Sequence, residues 1–121
     1  GIVMEIVTLD SISDKILDVT QSDIDEANMF LGDMAARLDV LEITKPSAMA
    51  KRLGVVYACY VRAVASVGTD PTASMDNGTD IFAQKADFYS AELKRISSTI
   101  AASDFTGAKS TGRATIKMYR S

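Results

Sequence analysis

Apolar residues along this chain recur mostly at steps of three and four, the spacing that gathers side chains on one face of a helix. Ile24, Ala27, Leu31, Met34, Leu38 and Leu41 form one such stripe. It predicts a helix starting near Asp23, with Ser22-x-x-Asp25 as its capping box. The opposite face carries Asp25, Asp33, Arg37 and Asp39, so it is solvated and mainly negative. Pro46 marks the break that follows, because the residue before a proline is pushed out of helical geometry. The next helix runs from near Ser47 to about Val67, with Met49, Leu53, Val56, Tyr57, Tyr60, Val64 and Val67 as its main face. Val55, Ala58, Cys59 and Ala63 flank that face, so this helix is apolar around most of its circumference and is expected at the centre. Phe82, Ala86, Tyr89, Leu93, Ile96 and Ile100 predict the last long helix, from about Asp80 to Ala102, flanked by Ile81 and Phe88.

The ends of the chain are patterned differently. Thr8 reads as the N-cap of a short first helix, Leu9 to Leu17, with Ile12, Ile16 and Leu17 facing inward and residues 19–22 as a connector. The stretch from Gly68 to Thr79, with Asp70-Pro71 and Asn77-Gly78, is a loop long enough to suggest a role outside the core. Small polar residues from Ser103 to Gly112 read as a hinge. Beyond it, Thr115-Ile116-Lys117-Met118-Tyr119 alternates polar and apolar residues as a half-buried strand does. The expected fold is therefore mainly α, a small four-helix bundle (residues 1–106) with an extended basic C-terminal arm (residues 107–121).

Charge sharpens the contrast between body and arm. The arm holds four of the thirteen bases, Lys109, Arg113, Lys117 and Arg120, and none of the sixteen acids. An acidic body with a basic end favours asymmetric contact, since unlike ends attract and like ends repel. Solvation alone would leave Ile116, Met118 and Tyr119 exposed without reason, so the arm is expected to dock on protein. A length of 121 residues suits one domain, and 47% hydrophobic with 24% charged residues is an ordinary globular balance. Cys59 is the single cysteine, which excludes an intrachain disulfide and favours a reducing compartment and a core position. Gly54 and Arg62 interrupt the longest apolar run short of the ~18 residues that a membrane span needs. The opening residues lack the features of a signal peptide or a myristoylation motif, so a soluble chain with no membrane partner is expected.

Catalytic chemistry has little to work with. The chain has no histidine, which removes the commonest metal ligand and the commonest general base near neutral pH. One cysteine cannot build a thiolate zinc site, and no glycine-rich phosphate or dinucleotide motif occurs. Asp23, Asp25 and Glu26 are close together, and a solvated helix start explains them better than a metal or acid/base pair. Asp70, Asp76 and Asp80 lack EF-hand spacing. No enzyme activity and no cofactor are expected, and a carboxylate-and-metal hydrolase is the weakest reading. A pI near 4.8 argues against a duplex-binding body, and Tyr119 alone is too little for base stacking.

Val7-Thr8-Leu9-Asp10-Ser11-Ile12 with Lys15, Asp23-Ile24-Asp25-Glu26-Ala27 with Leu31, and Asp87-Phe88-Tyr89 through Leu93 carry a resemblance. In this order of elements the chain resembles the small head-tail connector (adaptor) proteins of tailed bacteriophages. The resemblance implies a structural virion protein of the phage neck, assembled in the host cytoplasm as a ring, commonly dodecameric, beneath the portal. Its implied partners are the portal protein, a neck or tail component, further copies of itself, and viral DNA passing through the channel without sequence-specific binding. It assigns portal docking to Lys109, Arg113, Ile116, Lys117, Met118, Tyr119 and Arg120, and subunit packing to the three long helices. The loop 68–79 departs from a gating role, having few apolar residues beyond Met75. An acidic lumen would let a duplex slide, and rings need two unlike faces per subunit. The acidic second helix and the basic Lys51, Arg52 and Arg62 of the third supply them. The alternative is a small cytoplasmic helical dimer that acts as an adaptor through the same arm.

Overall fold

The computed structural model describes residues 5–69 and 80–107, and these are mainly helical, with no strand among them. A 3₁₀ turn, Leu9–Ser11, precedes α1 (Gln21–Arg37), α2 (Ala48–Ser66), α3 (Ile81–Ser97) and the short α4 (Ser103–Thr106). The mainly α class and the helical bundle expected from the periodicity are present, with the helices apportioned differently at both ends.

No helix spans Leu9 to Leu17. The turn is closed by reciprocal bonds between Thr8 and Ser11, and the chain is extended by Ile12. Asp14 then diverts it: its carboxylate accepts the Ile16 N–H at 3.1 Å, a local bond that competes with helix formation. Ile12 and Leu17 are buried as expected, but Ile16 is turned outward and is 53% exposed. Residues 5–20 form a strap across the bundle, held at one point by Asn28. The Asn28 amide oxygen accepts the Ile6 and Val7 N–H groups at 2.9 Å each, and its nitrogen donates to the Val7 carbonyl at 3.0 Å. This side chain thus stands in for a neighbouring strand.

α1 begins at a different cap from the one expected. Thr20, not Ser22, is the N-cap, and its capping partner is Asp23, whose carboxylate accepts the Thr20 N–H at 2.9 Å. The helix ends one turn before Leu41. Asp39 adopts a left-handed conformation (φ 65°), and the Asp39 and Val40 N–H groups return to the Ala36 and Ala35 carbonyls at 3.0 and 2.8 Å. Leu41 therefore leaves the stripe and is 97% exposed, while Leu38 at the C-cap stays partly buried.

α2 occupies the centre, packed on α1 and on α3, which have little direct contact with each other. It runs antiparallel to both. Arg62 meets Asp23 and Tyr57 stacks on Phe30 (4.2 Å, 7°) on the α1 side. Met49 meets Thr99 and Arg52 meets Glu92 on the α3 side. Close packing on α1 rests on Gly54: a β-carbon there would collide with Val7 of the strap and lie 2.7 Å from Leu31 Cδ1. Ile24, Leu31, Leu53, Val56 and Ile96 are fully enclosed, and each buried side chain of this kind stabilises by about 1.5–3 kcal/mol. Asp80 caps α3 and also accepts the Gly68 N–H at 2.6 Å, which ties the end of α2 to the start of α3. α3 stops at Ser97 instead of Ala102, and part of the expected hinge is α4. No helix among the described residues is long and apolar enough to cross a membrane.

Candidate functional site

The residues expected to dock, Lys109, Arg113, Ile116, Lys117, Met118, Tyr119 and Arg120, lie outside the described residues. Their root lies within them. Phe105 of α4 is fully buried, and its carbonyl accepts both the Thr44 and Lys45 N–H groups at 3.1 Å. Asp104 reaches further: its carbonyl takes the Ser47 N–H at 2.7 Å, and its carboxylate takes the Ser47 hydroxyl at 2.8 Å and the Ala101 N–H at 2.9 Å. Ser47 is also the N-cap of α2, accepting the Ala50 N–H at 3.1 Å. The root is thus bonded to the cap of the central helix. Gly107 closes α4 in the left-handed region (φ 75°), where a side chain would be strained. A β-carbon at Gly107 would also lie 2.8 Å from the Lys45 side chain, so this position is fixed by both conformation and space.

The charged faces expected to meet neighbours are arranged differently from their sequence reading. Asp25, Glu26, Asp33 and Asp39 are exposed on or beside α1, as are Lys51 and Arg52 on α2. Arg62 is not available as an outward cation. Its Nε and Nη2 donate to the two Asp23 carboxylate oxygens at 2.8 and 3.2 Å, while Asp23 itself is 2% exposed. Asp23 is therefore no solvated helix-start acid either. Burial disfavours its ionised form, but the bonds from Arg62 and Thr20 outweigh burial and hold its pKa below the usual value. The same pairing raises the pKa of Arg62. Positive charge on the outside gathers instead where α2 and α3 meet: Glu92 bridges Arg95 at 2.9 Å and Arg52 at 3.7 Å, with Lys94 exposed alongside.

A third cluster ties the strap to α3. Asp14 Oδ2 accepts from Lys85 Nζ at 2.8 Å and from the Tyr89 hydroxyl at 2.6 Å. Burial opposes the Asp14 charge, but these bonds and the Lys85 ammonium prevail and lower its pKa. Tyr89 is held protonated well above its ordinary range, first by burial and then by the bond it donates to Asp14. Cys59 lies beside Tyr89, and burial raises its thiol pKa, which keeps it in the unreactive thiol form. A shallow groove of about 230 Å³ beside the strap is lined by Leu9, Ile12, Asp14, Lys15, Leu17, Asp18 and Val19. Among the described residues, no three of the His, Cys, Asp or Glu type stand together as metal ligands would.

Asn28 and Asp14 are structural residues that lie outside the apolar stripes. The Asn28 signal was present, since an amide beside Ala27 and Leu31 on an inward face needs a buried partner. The pairing of Asp14 with α3 had no local signal, because its partners are more than seventy residues away. Compared with known proteins, the chain matches no family model, no curated protein and no solved structure.

Proposed function

We propose that the chain is a structural connector of a tailed-phage neck, which rings the exit beneath the portal and attaches through its basic C-terminal arm. The observation that supports this reading most is the anchorage of the arm's root. A docking segment transmits load only if its base is fixed, and Phe105, Asp104 and Ser47 bind that base to the central helix. The acid-free composition of residues 107–121 suits an acidic protein surface, and the alternation of 115–119 suits addition to a sheet edge or a wedge between neighbours. A ring of arms raises the effective concentration, so each arm needs only a modest affinity. The net negative charge of the body, presented to a channel, would let DNA slide past without sticking.

Deletion of residues 111–121 tests this reading, because it leaves α4 and its anchorage in place. The expected result is a folded helical body, by far-UV circular dichroism, that no longer joins portal-bearing heads, so that heads accumulate without tails. Normal attachment by the truncated chain would reduce the arm to a solubilising end and refute the proposal. A two-fold dimer that captures a cellular protein through the arm, with no affinity for portals, would favour the adaptor reading instead.

A further inference from the structure

We infer that the outer face of α1 is a docking surface for a second copy of this chain, and that it receives the outer face of α3. The inference shares with the connector reading only the premise that copies associate. α1 and α3 flank α2 with little contact between them, so each has a face turned away from the bundle. The two faces are unlike. On α1 the outward residues include Asp25, Met29, Asp33 and Arg37, and Met29 is 59% exposed. On α3 they include Phe88, Ala91, Lys94 and Arg95, and Phe88 is 56% exposed. Each face therefore sets one large apolar side chain beside charge, and the net charges have opposite sign, Asp25, Asp33 and Arg37 on α1 against Asp87, Lys94 and Arg95 on α3.

Height along the bundle agrees as well as sign. Phe30 stacks on Tyr57 and Tyr89 lies beside Cys59, so the neighbouring Met29 and Phe88 both lie near mid-length of α2. Leu31 lies against Gly54 and Arg95 joins Arg52 through Glu92, so Asp33 and Arg95 both lie toward the N-terminal end of α2. Two copies set side by side without axial shift then bring Met29 against Phe88 and Ala91, and Asp33 against Lys94 and Arg95. The one acid in the α3 stripe, Asp87, lies about two turns from Arg95 and falls near Asp25. That like-charged pair is the weak point of the contact. A contact between two different faces leaves one of each free, so it extends to a third copy and closes as a ring or continues as a filament.

The test uses the full chain with no portal present. Met29→Cys and Phe88→Cys are made in separate chains, one with a size tag, and the pair is oxidised at high concentration in low salt. Both positions are exposed, so neither change disturbs the core, and the native Cys59 is buried. The expected product is the mixed disulfide dimer, about tenfold above either self-paired dimer, and a ladder when both changes sit in one chain. Asp33→Lys, or Lys94→Glu with Arg95→Glu, lowers the mixed product by about tenfold, and all three changes together in both chains restore it. Asp87→Asn raises it. Equal yields of mixed and self-paired dimers, or yields indifferent to these charges, would overturn the inference. A ladder from a chain that fails to join heads would sink the connector reading alone. Heads joined normally by a chain that gives no mixed dimer would sink this pairing alone.

Discussion

Arg62 and Asp23 are the pair whose separation should cost most. The Asp23 carboxylate is enclosed, and its two oxygens are shared between Arg62 and the Thr20 cap. Arg62→Ala removes the cation and strands a buried charge, which is worse than never having buried it. The expected loss is about 2–3 kcal/mol in urea unfolding, discounted because Arg62 itself is partly solvated. The pair also sets a pH dependence. Asp23 and Asp14 both titrate below the ordinary aspartate value of 3.8 when folded. An unfolded chain therefore binds their protons first as pH falls, and the folded state loses their contribution below that value. Stability should hold above about pH 5 and decline as pH drops through 4 and below. In Arg62→Ala the acid slope should flatten, because the Asp23 pKa is no longer held down. An unchanged slope in thermal melts across pH 3–6 would show that Arg62 does not govern the titration.

At the scale of elements, Gly54 decides how closely the strap, α1 and α2 approach. Alanine is the better helix former by about 1 kcal/mol, so Gly54→Ala would stabilise an isolated α2. In this packing the new methyl meets Val7 and Leu31, and overpacking of a filled core costs about 1–3 kcal/mol. The net effect expected is a loss of about 1 kcal/mol or more, with faster hydrogen exchange at the Ile6 and Val7 amides as the strap lifts off Asn28. A more stable variant would mean that the strap yields freely. Helices with strong periodicity were the legible part of this architecture. α2 lies within a residue of its expected bounds, because Ser47 caps it locally and its apolar surface demands the centre. Boundaries set by distant partners were not legible. Thr20 displaces Ser22 as the α1 cap because Asp23 must serve both the cap and Arg62, which is 39 positions away. The Leu9–Leu17 stretch had helical spacing, yet Asp14 finds Lys85 and Tyr89 and pulls the chain extended.

For the whole molecule, composition foretold a charge asymmetry but not which charges remain outside. Sequence alone counted Arg62 among the cations of an outer face. Folding pairs it with the buried Asp23 and leaves Arg52, Lys94 and Arg95 as the positive edge, joined through Glu92 across two helices. Periodicity marked the outer face of α1 but not that of α3, where Phe88 reads as a flank of the inward stripe and is 56% exposed. Their height relative to one another depends on helix packing and could not be read from spacing. The root of the arm was legible only as a polar stretch, because one aromatic, Phe105, among small residues gives no periodic signal.

The enclosure of Cys59 turns the chain's one thiol into a clock for opening. It is sealed at the contact of the two most extensively packed helices, so a thiol-reactive dye reaches it only when α2 and α3 part. When reclosing outpaces the reaction, the labelling rate is the rate of a free thiol multiplied by the fraction of molecules open. Each tenfold slowing then corresponds to about 1.4 kcal/mol of opening free energy. The native chain should label at a rate set by its global stability, and Arg62→Ala and Gly54→Ala should each shorten the labelling time about tenfold for every 1.4 kcal/mol of measured loss. Stoichiometric labelling on mixing would place the thiol at the surface. If two copies also shield each other through α3, labelling should slow further as protein concentration rises, so that a single native atom would count the copies as well as time their opening.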